Sequence, residues 1–336
     1  MAPAPNSSLL FDHRSTSSIE KRDAYEVEDW FTGDTFFDGW TFFDQRDPTN
    51  GAVNYVNQSA ASALNLAYTN SDGRVIMQVD NTNDLPYGAL RNSVRISTAK
   101  SYNSGLFVLD AIRFPYGCAV WPAWWMLGPN WPSHGEIDIF EGINLNTQNQ
   151  YTAHTAANCH INQSPSDPSF AVSTSSSFMA RDDCGPSPDN AGCEFIDQNN
   201  HGPSFGEGLN GAGGAVLVME WKDEGIRIWN FPRYQVPSDL NPSFGFAASP
   251  NPDRWDPSFL KAAWESSTCP TSTYFGEMSM VFDITLCGDW AGSSKWYGSS
   301  GCPGTCKQQV MKGSNFANAV WEINYVAVYQ RTQGGY

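Results

Sequence analysis

The chain has 336 residues, 14% of them aromatic and only 16% charged, with a formal net charge of −16 and a pI near 4.5. Such acidity excludes the basic footprint that nucleic-acid binding needs; it suits a protein working in acid on a neutral polymer, and it also aids solubility. No run of about 18 apolar residues occurs, Pro122 interrupting the best candidate, so no membrane-crossing helix is expected.

The first residues, 1–18, lack the apolar centre of a signal peptide. Lys21-Arg22, followed by Asp23-Ala-Tyr, reads as a dibasic processing site as readily as an ordinary charged linker. Residues 1–22 are therefore expected to be a disordered leader or propeptide remnant, and residues 23–336 a single β-rich domain. Short alternating segments predict strands at 36–43, 63–68, 74–79, 105–114, 136–143, 277–286 and 321–329. Val216–Trp221 and Ile226–Phe231 flank Lys222-Asp-Glu-Gly, a hairpin pattern. No long stretch shows a 3.6-residue apolar stripe, and Gly and Pro are spread throughout, so the fold class is all-β, a sandwich.

Eight cysteines, an even number, fit an oxidising compartment and hence secretion. The Cys302-x3-Cys306 spacing also allows zinc, but no His–Cys cluster stands nearby, so disulfides are expected, with their pairing open. Residues 158–214 are rich in Ser, Gly and Asn and contain Cys159, Cys184 and Cys193; a loop of that length should be functional or stapled. Asn6, Asn57 and Asn162 each begin an N-glycosylation sequon.

The chemistry concentrates at residues 135–142, Gly-Glu-Ile-Asp-Ile-Phe-Glu-Gly. A buried carboxylate costs several kcal/mol unless paired or protonated, so Glu136, Asp138 and Glu141 on one strand point to a wet cleft. A solvated edge strand would carry the same three acids. Glu136 and Asp138 share a strand face, whereas Glu141 falls out of phase unless a one-residue β-bulge intervenes. With the bulge all three face one cleft and Ile137 faces the core; paired carboxyl groups flanking a bond are what glycoside hydrolysis requires. Trp121, Trp124, Trp125 and Trp131 crowd the approach to this strand, and indoles stack on the flat faces of sugars. Gln150–His154 alternates like the next strand, placing His154 across from the acids.

The run from Arg95-Ile-Ser-Thr through Gly105-Leu-Phe-Val, Trp121-Pro-Ala-Trp-Trp and Trp131-Pro-Ser-His-Gly-Glu-Ile-Asp-Ile-Phe-Glu-Gly-Ile-Asn resembles glycoside hydrolase family 16. More narrowly it is similar to the fungal endo-1,3(4)-β-glucanases, or laminarinases. The likeness extends over about 36–331 and takes in Asp47-Pro-Thr-Asn-Gly-Ala-Val-Asn-Tyr and Phe282-Asp-Ile-Thr-Leu-Cys-Gly-Asp-Trp-Ala-Gly. Glu136-Ile-Asp138-Ile-Phe-Glu141 matches the family's bulged pattern, and the shorter pattern of lichenases and xyloglucan-active members does not fit.

The resemblance implies a curved jelly roll whose concave sheet forms the substrate cleft. It implies a secreted, monomeric, endo-acting hydrolase of β-1,3- and mixed β-1,3/1,4-glucans that retains anomeric configuration and needs no cofactor or metal. Glu136 matches the nucleophile, Glu141 the acid/base, and Asp138 the carboxylate that holds the nucleophile; one acid stays protonated, and its role assigns that proton to Glu141. Trp125, Trp131 and His154 match cleft positions near the cleaved bond. Trp221, Trp255 and Trp290 are candidate outer platforms, although core packing explains each equally well. Loops at 158–214 and 255–264 are expected to set linkage preference. A glucan transglycosylase would use the same two glutamates, and a glucan-recognition protein would lack them. A metal site made from the acids and His154 lacks a second supporting His.

Overall fold

The computed structural model describes residues 24–240 and 249–332. The Lys21-Arg22 pair and the Asn6 sequon lie outside the described residues. Short runs of alternating apolar and polar residues bury one face each, and they pair into two eight-stranded antiparallel sheets. The front sheet runs, in hydrogen-bonded order, Ser177–Arg181, Cys193–Asp197, Gln150–His154, Glu136–Glu141, Val120–Leu127, Ser279–Leu286, Arg95–Thr98 and Trp40–Phe42. The back sheet runs Leu260–Glu265, Gly225–Pro232, Ala215–Lys222, Gly105–Arg113, Val320–Thr332, Val75–Gln78 and Ala67–Thr69. Ala24–Phe31 also pairs with Val320–Thr332. The expected all-β sandwich is the architecture found, and neither sheet closes on itself.

Between the sheets lies an aromatic core. Phe140 stacks on Phe205 at 5.0 Å and meets Trp321 edge-on at 5.3 Å, while Phe282 meets the same indole at 5.2 Å. Each such side chain contributes roughly 1.5–3 kcal/mol through burial. A second apolar cluster covers the outer face of the back sheet, where Val218, Trp229, Phe231 and Tyr325 pack beneath Trp255 and Phe259. Within that layer the fully buried Arg227 pairs with Glu220, which also accepts a 2.9 Å hydrogen bond from the Tyr25 hydroxyl.

Several expectations change. Residues 33–39 form a 3-10 helix before a short strand at Trp40–Phe42, because Phe36 and Trp40 stack at 5.5 Å and pull the chain into a turn. Residues 58–63 are helical, capped by Asn57, whose side chain accepts from the Ala60 N–H, so the strand expected at 63–68 starts only at Ala67. The stretch 158–214 is stapled, as expected of so long a loop, by the bridges of Cys159, Cys184 and Cys193, and it also supplies the last two strands at one end of the front sheet and a short helix at Gly206–Gly211. Trp255 and Phe259 pack in the second apolar cluster, and Leu260–Glu265 is the end strand of the back sheet, with Ala262 and Trp264 turned into the core, so residues 255–264 are not a free loop.

Four disulfides join Cys118 to Cys302, Cys159 to Cys269, Cys184 to Cys193, and Cys287 to Cys306. Cys302 and Cys306 therefore have different partners, which removes the zinc alternative. The sequon Asn57 is exposed, whereas the Asn162 amide donates at 2.6 Å to Glu265.

Candidate active site

The acidic strand sits mid-sheet, between Val120–Leu127 and Gln150–His154. Against the first neighbour Asp138 pairs with Trp125 and Phe140 with Trp124; against the second Asp138 pairs with Thr152 and Glu141 with Gln150. Both registers break between Asp138 and Glu141, so the expected bulge is present, with Ile139 as the extra residue against the Trp strand. Its effect is a change of phase. Ile137, Ile139 and Phe140 are fully buried, Asp138 is 2% exposed, and Glu136 and Glu141 stay half-buried on the open face. The flanking glycines fit this turn of chain: Gly135 adopts φ +81°, and a β-carbon there would meet the Phe275 ring at 2.3 Å. A β-carbon on Gly142 would strike Phe205 at 2.5 Å and displace it from Phe140.

The registers define the whole open face. One row crosses the sheet as Phe178, Ile196, Gln150, Glu141, Ala123, Asp283 and Arg95. The adjacent row carries Glu194, Thr152, Asp138, Trp125 and Val281, and the next begins with His154 and Glu136. Trp125 is 9% exposed on this face, beneath the Arg95 guanidinium, 5.1 Å from the ring centroid. Trp131 is 46% exposed with its ring 6.4 Å from that of His154. The three aromatic residues expected at the cleft, Trp125, Trp131 and His154, thus gather around the acids.

The outer platforms divide. Trp290 is half-buried and meets Trp121 edge-on at 5.4 Å, and the Trp121 indole N–H donates to Glu141 Oε1 at 2.8 Å. Trp221 is buried in the core between the sheets, and Trp255 in the cluster on the back sheet, so neither reaches the cleft.

Crowding of acids sets the electrostatics. Burial pushes Glu136 up to about 7, opposed by the Trp131 indole and the Arg95 guanidinium, with the Asp283 charge pushing it further up. Glu141 rises to about 8, from burial and from the charges of Glu136, Asp283 and Glu194, against the Trp121 hydrogen bond. Asp138 is held well above the carboxylate range by burial and then by Glu141 and Glu136. Its Oδ2 has no hydrogen-bond partner among the described residues, and His154 Nε2, at 3.6 Å, is beyond hydrogen-bonding distance. Burial lowers His154 to about 4, so its ring is neutral at pH values well above that. The proton expected on Glu141 is therefore joined by one on Asp138. Glu136, Asp138 and His154 offer ligand atoms within 4.8 Å of one another, a donor set a divalent cation accepts. A protonated Asp138 works against that use.

Sequence reasoning placed Trp121 among the indoles near the acids without its bond to Glu141, and it missed Arg95, Asp283 and Glu194. Reading residues 120–127 with a period of two would have put Trp121 and Trp125 on one face and Trp124 on the other, as found. Asp283 and Glu194 carried no local signal, because only sheet order brings them near Glu141.

Residues 40–329 match the family described as the XgeA-like catalytic domain of glycoside hydrolase family 16. The chain is 40% identical over 314 residues to a probable glycosidase of Schizosaccharomyces pombe, covering 92% of this chain and 70% of that protein. It is 36% identical over 321 residues to a probable endo-1,3(4)-beta-glucanase of Aspergillus niger, covering 91% of this chain and only 40% of that protein. The chain thus spans less than half the length of this second relative. Among solved structures, Laminarinase 16A of Phanerochaete chrysosporium, bound to 6-O-glucosyl-laminaritriose in donor and acceptor sites, superposes with a TM-score of 0.81 at 34% identity, covering 91% of this chain and all of that one. An elongating family 16 beta-1,3-glucosyltransferase superposes with a TM-score of 0.77 at 35% identity, over 91% of this chain and all of that one.

Proposed function

As the chain belongs to glycoside hydrolase family 16, we propose that it is a secreted endo-1,3(4)-β-glucanase that works by double displacement with retention. The observation that carries the reading is the pair of half-buried glutamates that one bulged strand turns to the same open face, both raised by burial above the usual carboxylate range. Two interacting carboxyl groups release their protons in two steps, and the form with Glu136 ionised and Glu141 protonated is the one that reacts. The Glu136 carboxylate attacks the anomeric carbon as the glycosidic C–O bond breaks, and Glu141 gives its proton to the departing oxygen. Glu141, now a carboxylate, takes a proton from water as that water attacks the glycosyl–Glu136 ester and frees the enzyme. Asp138, protonated between them, spares the site a third negative charge and has an oxygen free to hydrogen-bond Glu136 or a sugar hydroxyl. Trp125, Trp131 and Trp290 supply stacking surfaces, and neutral His154 a hydrogen-bonding edge. The working unit is proposed to be the monomer, without cofactor or metal.

The similarity to a glucosyltransferase favours one second reading, in which a sugar hydroxyl intercepts the same intermediate in place of water. Retention of Glu136 and Glu141 argues against a recognition protein without activity.

Product release from laminarin and from mixed-linkage barley glucan, with E136Q in parallel and products separated by size, tests the proposal. Short oligosaccharides from either polymer, lost in E136Q, are expected, and products longer than a defined short substrate would favour transfer. Binding without turnover would overturn the enzymatic reading.

A further inference from the structure

A bulge creates a problem as well as a solution. Ile139 and Phe140 stand opposite Tyr151 alone, so the ladder cannot serve every N–H and C=O of the acidic strand there. Buried backbone groups without partners are costly. Asn149, fully buried and just before the neighbouring strand, fills the gap: its Oδ1 accepts from the Glu141 N–H at 3.0 Å, and its Nδ2 donates to the Ile139 C=O at 3.0 Å. One side-chain amide thus stands in for a missing peptide unit.

The amide is itself anchored from both sides. The Asn149 N–H donates to Ser204 Oγ at 2.9 Å, and its carbonyl accepts from the Asp197 N–H at 3.0 Å. Ser204 Oγ in turn donates to Asn199 Oδ1 at 2.7 Å. Asp197 is held at 3.0 Å by Lys261 Nζ, a buried ammonium on the back sheet. Every polar atom of Asn149 is thus committed, and one of these bonds ends on the backbone N–H of Glu141.

We propose that Asn149 is a positioning residue for catalysis: it pins the bulge and so sets the direction in which Glu141 presents its carboxyl group to the leaving oxygen. The inference rests on the acid/base role of Glu141 proposed above. It does not require Asn149 to touch substrate.

The test separates proton donation from binding and folding. N149A and E141Q are assayed on a β-1,3-glucan and on the 2,4-dinitrophenyl glycoside of a β-1,3-linked disaccharide, whose leaving group departs without acid help. For N149A the expected result on glucan is a fall in kcat of roughly 100-fold with KM close to wild type. With the dinitrophenyl glycoside, the first burst of dinitrophenolate keeps a near-normal rate. A general loss of folded enzyme would lower both rates together, and that outcome, or wild-type behaviour, overturns the proposal. E141Q must show the leaving-group dependence in its own right. If it does not, the Glu141 assignment fails; if it does and N149A does not, only the Asn149 inference fails. The isosteric N149D keeps the acceptor for the Glu141 N–H and loses the donor to Ile139. It decides the question if N149A does not accumulate as folded protein, the same pattern supporting the proposal and wild-type rates on both substrates overturning it.

Discussion

Replacing Glu136 by Gln should stabilise the fold at alkaline pH and leave it unchanged in acid. Glu136 has its pKa raised from 4.5 to about 7, chiefly by burial. Below pH 4.5 the carboxyl group is protonated in both folded and unfolded chains and carries no penalty. As pH rises through 7 the unfolded chain has already released its proton, and the folded chain must ionise a group it has desolvated. At about 1.36 kcal/mol for each pH unit, the folded state loses about 3 kcal/mol between pH 4.5 and pH 8 through this side chain. Gln has the same shape and no charge to desolvate, so E136Q escapes that loss. The assay is thermal unfolding of both proteins at pH 4 and pH 8. Their Tm values should agree at pH 4, and E136Q should be higher by about 6 °C at pH 8, taking about 2 °C per kcal/mol for a chain of this size. An equal offset at both pH values, or a less stable E136Q at pH 8, would refute the reasoning, because Glu136 would then be well solvated in the folded protein.

W121F removes the indole N–H that holds Glu141 down, so the alkaline limb of the kcat/KM profile should move up by about one pH unit; an unmoved limb would detach Trp121 from the acid. K261M leaves Asp197 buried without its ammonium and should cost about 3–5 kcal/mol in urea unfolding. Adding D197N should restore part of that loss, and strict additivity of the two single changes would show that the pair is not coupled.

How much of this was legible in the sequence depended on whether the controlling forces are local. Alternation of side chains and the spacing Glu136, Asp138, Glu141 sufficed for the bulge and the open face, because the choice between core and water is made residue by residue along one strand. The last two strands at one end of the front sheet, Ser177–Arg181 and Cys193–Asp197, were hidden, since Ser, Arg and Asp weaken their apolar alternation. They are held by the neighbouring strand Gln150–His154 and by the Cys184–Cys193 bridge, whose pairing no spacing reveals. Trp255 and Trp221 show the opposite limit: an indole that stacks on sugar and one that fills a core look alike until the layer it occupies is known. Asn149 was silent for the same reason, as its value lies in two hydrogen bonds across a register break.

The central claim is that Glu136 attacks the anomeric carbon and Glu141 serves as acid and then base. Proton NMR of a β-1,3-linked glucan oligosaccharide during the first minutes of cleavage tests it most directly, by reading which anomer forms before mutarotation. Two displacements at one carbon predict that the β-anomer appears first, with the α-anomer growing in only as the sugar equilibrates. First appearance of the α-anomer would mean a single displacement by water and would contradict the assignment of Glu136 as nucleophile.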